Sequence, residues 1–78
     1  MITSQQIRAA RALLDWSREK LSQESGIGIS ALMRLEASDG IPAGNIKTFK
    51  AVQTSLEAAG IEFIGTPESG AGVRWKNK

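Results

Sequence analysis

Two side chains that most often run catalysis near neutral pH are missing from this 78-residue sequence: it has neither cysteine nor histidine. Without a thiol there is no sulfur nucleophile, and without an imidazole there is no ready general base. The same absences remove disulfides and the commonest transition-metal ligands, so neither a metal nor a cofactor is expected. The eight carboxylates are scattered among lysines and arginines on what read as helix surfaces, which is not the arrangement of an acid–base pair. An enzyme is therefore not expected. What remains is binding chemistry. Ten basic side chains against eight acidic ones give a net charge of +2, compatible with a polyanionic partner but too small to specify one. The most informative stretch is Trp16 to Glu36. It reads as a short capped helix, a turn on Gly26 and a second short helix. That spacing fits a helix-turn-helix, which lays one helix across a DNA backbone and aims the next into the major groove. An ordinary helical hairpin has the same outline.

The elements that must position this stretch follow from capping signals and apolar spacing. Thr3 can cap a helix over Ser4 to Leu14, with Gln6 reaching back in a capping box, and Ile7, Ala10, Leu13 and Leu14 form its apolar stripe. Ser17 caps a second helix, Arg18 to Ser25, with Leu21 inward and Gly26 at its exit. A third helix runs from about Ile29 to Ala37, with Leu32 and Leu35 inward, and Ser38-Asp39-Gly40 ends it. After a loop from Gly40 to Gly44, Asn45 can cap a fourth helix over about Ile46 to Ala59, its apolar face formed by Ile46, Phe49, Val52, Leu56 and Ala59. The character then changes. Ile61 to Ile64 and Val73 to Lys76 are short strand-like runs, joined by a turn-rich connection from Gly65 to Gly72 that reads as a long loop. The expected fold is mainly α: a lambda-repressor-like helix-turn-helix bundle of about four helices with a C-terminal β-hairpin or strand pair. Residues 1–60 form the helical unit and 61–78 the strand pair with a basic tail. No run approaches a membrane span and the N-terminus shows no signal pattern, so a soluble cytoplasmic protein is expected.

Ile7-Arg8-Ala9-Ala10-Arg11-Ala12-Leu13-Leu14, Trp16-Ser17, Leu21, Gly26-Ile27, Leu32 and Arg34-Leu35-Glu36 together resemble the phage-repressor and Cro-like helix-turn-helix family, also called the XRE family. The resemblance covers about Ile2 to Leu56. It implies a transcriptional regulator, a repressor in the simplest case, that binds double-stranded DNA. By this resemblance Ile29, Ser30, Met33 and Arg34 face base edges. A guanidinium at Arg34 can grip guanine bidentately, although a phosphate contact or a solvated face would also place arginine there. Ile29 and Met33 can touch thymine methyls or, equally, line a protein-binding surface. Arg18 stands where the family commonly has a phosphate-contacting glutamine, and Gly44, Asn45 and Lys47 are further phosphate candidates. Arg11 and Glu36 occupy positions that form a structural ion pair in the family. Gly28 departs from the usual serine or threonine cap of the recognition helix, where glycine serves nearly as well.

A chain this short buries little surface, and with disulfides and metals excluded the remaining aid to stability is oligomerisation. Family members pair on two-fold operators, so a homodimer is expected. Leu56, Phe63 and Trp75 are the candidate dimerisation residues; the alternative is a hairpin that only covers the monomer core, and whether the strands pair within or between chains is open. Arg74, Lys76 and Lys78 either add non-specific attraction to DNA or form a solvated end. The rival function on the same fold is a protein-interaction module, such as an antitoxin or a phage-regulator partner.

Overall fold

The computed structural model describes residues 2–37 and 46–76. They form four helices followed by an antiparallel strand pair: α1 (Ser4–Leu14), α2 (Arg18–Ser25), α3 (Ile29–Ala37), α4 (Ile46–Ala58), β1 (Ile61–Thr66) and β2 (Ser69–Trp75). Local signals set the helix ends. Thr3 caps α1 by accepting the Gln6 amide at 3.1 Å, while Gln6 Oε1 accepts the Thr3 amide at 2.8 Å, which closes the capping box. Ser17 caps α2 by accepting from the Lys20 amide. Gly26 leaves α2 at φ +75°, in the left-handed region where a residue without Cβ carries no steric cost. Segment 38–45, with the expected α3 stop and the Asn45 cap, lies outside the described residues.

The core is formed by Ile2, by Ile7 and Ala10 of α1, Leu21 of α2, Leu32 and Leu35 of α3, Phe49, Val52 and Leu56 of α4, and Ile61 of β1. Burying a Leu, Ile, Val or Phe side chain contributes on the order of 2 kcal/mol, the main term opposing chain entropy. Two expected core positions lie elsewhere: Ile46 is 64% exposed and Leu13 39% exposed. Each sits on the edge of its helix's apolar stripe, so the periodicity includes it while the packing does not. The inward face of α4 begins at Phe49, and the helix ends at Ala58, one residue short of the expected Ala59.

The connection after β1 also differs from expectation. Pairing runs on from Ile61↔Trp75 and Phe63↔Val73 to Thr66, which faces both Ser69 and Gly70 across a bulge, so Pro67 and Glu68 alone form the turn. Backbone pairing needs no apolar alternation, which is why a run of Gly, Ser and Ala can be strand without reading as one. Gly65 permits the bulge: it has φ +77°, and a Cβ there would lie 2.2 Å from the Gly70 carbonyl oxygen. The strands pair within the chain. β2 lies against α1 and β1 against α4. Gln6 fastens this sheet to α1, since its Nε2 donates to the carbonyls of Ile64 (3.1 Å) and Gly72 (2.8 Å), a cross-strand pair.

Candidate nucleic-acid interface

α2 and α3 are joined by Gly26, Ile27 and Gly28 alone, the turn length of a helix-turn-helix. The turn is tied from both sides. Ser22 Oγ donates to the Ile27 carbonyl at 2.6 Å, and the Ile27 amide donates to Ser25 Oγ at 3.2 Å. The Gly28 carbonyl accepts the Leu32 amide and so opens α3.

α3 has two distinct faces. Leu32, Leu35 and Glu36 are buried, whereas Ser30, Met33, Arg34 and Ala37 are exposed at i, i+3, i+4 and i+7. Three of the four residues expected at base edges thus share one outward stripe. Ile29 is half-buried at its shoulder. Met33 is 51% exposed. Arg34 is exposed and makes no hydrogen bond or ion pair with the described residues, so its guanidinium is available to a ligand.

The opposite end of α3 is clamped by α1. Ser4 Oγ donates to the Leu35 carbonyl and Arg8 Nη1 to the Glu36 carbonyl, satisfying backbone acceptors near the end of α3. Arg11 grips the Glu36 carboxylate with two parallel bonds, Nε to Oε2 at 2.7 Å and Nη2 to Oε1 at 2.9 Å, and gives Nη1 to the Trp16 carbonyl. Ser4, Arg8 and Arg11 recur at helical spacing, so these α1 donors lie on one face of that helix. The Glu36 side chain is only 2% exposed. Its charge is tolerable there because it is paired and hydrogen-bonded on both oxygens.

Arg18, a phosphate candidate, stands at the start of α2 and donates Nε to Glu36 Oε1 at 3.1 Å. The family pattern did not signal this bond, which spans α2 and α3. Lys47 is exposed in the first turn of α4, and Lys50 follows three residues later on the same helix face; both line a shallow groove against Glu24 and Ser25 of α2. The i, i+3 spacing would have brought Lys50 in beside Lys47. Gly44 and Asn45 lie outside the described residues. Trp16 is half-buried against the core, with Lys20 Nζ 5.8 Å from its ring centre.

Of the dimerisation candidates, Leu56 alone is corrected, while Phe63 and Trp75 keep part of their surface exposed. Leu56 is fully buried within the chain and has no surface to offer a second copy. Phe63 and Trp75 are half-buried against the same core, because the register that faces Trp75 with Ile61 turns this side of the sheet onto the helices. The other side carries Glu62 and Arg74, paired across the strands at 2.9 Å. The hydrogen bond from Arg74, aided by its charge, lowers the Glu62 pKa, and the same bond raises that of Arg74. Arg74 is therefore committed to a cross-strand partner, and Lys78 lies outside the described residues.

Among the described residues no group of three or more acidic, histidine or cysteine side chains could hold a metal, and no helix is long and apolar enough to cross a membrane. No protein-family model matches the chain, and no curated protein matches its sequence.

Proposed function

We propose that this protein is a sequence-specific regulator of transcription, in the simplest case a repressor, that binds double-stranded DNA as a homodimer through α3. The observation that carries the reading is the two-faced α3: it follows a three-residue turn, is clamped from within at its C-terminal end, and turns Ser30, Met33 and Arg34 outward. A helix so held can enter a major groove about 12 Å wide without rearrangement. Arg34 then reads guanine, Ser30 donates or accepts, and Met33 with Ile29 contacts thymine methyls. Arg18 and Lys47 contact phosphate and set the depth of entry. One such helix reaches few bases, so specificity needs a second copy on a half-site about 34 Å away. A chain measuring 28 × 25 × 18 Å allows two copies to sit side by side at that spacing.

The test is selection from a pool of random duplexes, read by fluorescence anisotropy at low and near-physiological salt and by sequencing the retained fraction. The expected result is an enriched palindrome whose affinity falls steeply with salt, with Arg34→Ala relaxing preference at one base pair at a cost of about 1–3 kcal/mol. Absence of binding at low salt overturns the reading. A protein-docking surface is the second reading, favoured by the 51% exposure of Met33 on the same stripe. Binding to such a partner would be nearly insensitive to salt and would be lost in Met33→Ser.

A further inference from the structure

We infer that Glu36 is a positioning residue for the DNA-backbone contact: it holds the Arg18 guanidinium by Nε, so that the two Nη groups face a phosphate as a ready-made fork. The inference deepens the DNA-binding reading and rests on it.

The hydrogen bonds of the cluster carry the case. Arg11 already satisfies Glu36, with a bond to each carboxylate oxygen, and spends its third nitrogen on the Trp16 carbonyl. All three Arg11 nitrogens are thus engaged within the chain, with three of the five guanidinium N–H groups donated. Arg18 adds a second guanidinium to a carboxylate that one had neutralised, and the cluster keeps a surplus positive charge. That surplus belongs to the more accessible partner, for the Arg18 side chain is 36% exposed against 19% for Arg11. Arg18 commits Nε alone, and its Nη groups make no hydrogen bond with the described residues. Two parallel N–H groups at fixed separation match two phosphate oxygens. A long side chain normally loses much rotamer freedom on gripping a ligand; here the Nε bond has removed part of it beforehand.

The arrangement also has a mechanical consequence. Arg18 belongs to α2 and Glu36 to α3, and their bond spans 18 residues of sequence. The phosphate fork is thereby referenced to the helix that reads bases, and its height above the groove floor is fixed by α3 itself. A lysine at position 18 would keep the charge but not the function. One ammonium cannot hold Glu36 and present a fork at the same time.

The experiment measures binding of a 20-base-pair duplex by the full chain across a salt series, with Arg18→Ala, Arg18→Lys, Glu36→Gln and the double variant Glu36→Gln/Arg18→Ala, each checked for folding by circular dichroism. Arg18→Ala is expected to reduce the salt slope by about one. Arg18→Lys is expected to keep the slope and still lose about tenfold in affinity, the loss of the fork without loss of charge. Glu36→Gln is expected to weaken binding about tenfold beside Arg18 and by less than twofold once Arg18 is alanine, since it acts through that residue. An equal loss in both backgrounds overturns the inference and leaves Glu36 purely architectural. If Glu36→Gln does not fold, Arg18→Lys decides, and affinity equal to the unmodified chain overturns it. An unchanged salt slope in Arg18→Ala, with the unmodified chain binding DNA normally, sinks the inference alone. Failure of the unmodified chain to bind duplex at low salt removes the DNA-binding reading and this inference with it.

Discussion

Replacing Gln6 should loosen the whole molecule, because one side-chain amide joins three parts of it. Gln6 is 4% exposed. It accepts from the Thr3 amide at 2.8 Å and donates to the Ile64 and Gly72 carbonyls at 3.1 and 2.8 Å. A neutral intramolecular hydrogen bond contributes a net of about 1 kcal/mol, so three set a ceiling near 3 kcal/mol. Water can reach two orphaned carbonyls at a half-buried edge and reduce the loss to about 2 kcal/mol. Against a total stability of about 4–12 kcal/mol for a domain of this length, that is a large fraction. Gln6→Met isolates the polar part, since it keeps the buried methylenes and removes only the amide. Gln6→Glu keeps the acceptor for Thr3 but points a carboxylate at two carbonyls. It should be the worst variant at pH 7 and recover on acidification, because a protonated carboxyl can donate one of the missing bonds. That group's folded pKa would lie above its unfolded one, so the recovered stability is complete below the unfolded pKa and fades as pH rises through the folded one. The assay is urea unfolding followed by the fluorescence of Trp16, beside α1 and α2, and Trp75 on β2. Both probes should move together. A Gln6→Met variant within about 0.5 kcal/mol of the parent, less than the net worth of a single hydrogen bond, would refute the reasoning by showing that water replaces the amide in full.

Gly65 and Gly70 share a left-handed backbone, at φ +77° and +70°, but a Cβ on Gly70 meets nothing within 4 Å while one on Gly65 collides with backbone. Calorimetry should therefore find Gly70→Ala costing about 1 kcal/mol and Gly65→Ala more than twice that; equal costs would mean the bulge shifts freely. Arg11→Ala leaves the buried Glu36 carboxylate with Arg18 as its remaining side-chain partner and should cost about 3 kcal/mol in urea unfolding, a loss below about 1 kcal/mol contradicting the pairing described. Glu62 should titrate below its ordinary 4.5 by carboxyl NMR and return toward it in Arg74→Met. The sign follows from the lowered folded pKa: the pair's contribution is present above the unfolded value and lost as pH falls through the folded one, and an unchanged midpoint in the variant would argue against the ion pair.

The start of α1 and both limits of α2 are legible in the sequence because their signals act within one helical turn. Thr3 meets Gln6 three residues on, Ser17 meets Lys20 three residues on, and Gly26 ends α2 where it stands. Apolar spacing marks Leu32 and Leu35 as the inward side of α3, whereas Ser30, Met33 and Arg34 are expected outward, with Ile29, only through the family resemblance. Tertiary structure decided the rest. Arg18 reads as a lone surface cation until folding brings α3 back beside α2 and supplies Glu36 as its partner. Gln6 reads as a cap, and only packing adds carbonyls 58 and 66 residues away. Leu56 and Ile46 lie on one apolar helix face by spacing, yet the first is fully buried and the second 64% exposed. Periodicity states which residues share a face; which part of that face is covered depends on where the other elements end. The strands reach Thr66 and Ser69 because backbone hydrogen bonds close wherever two chains come within pairing distance, whatever side chains they carry.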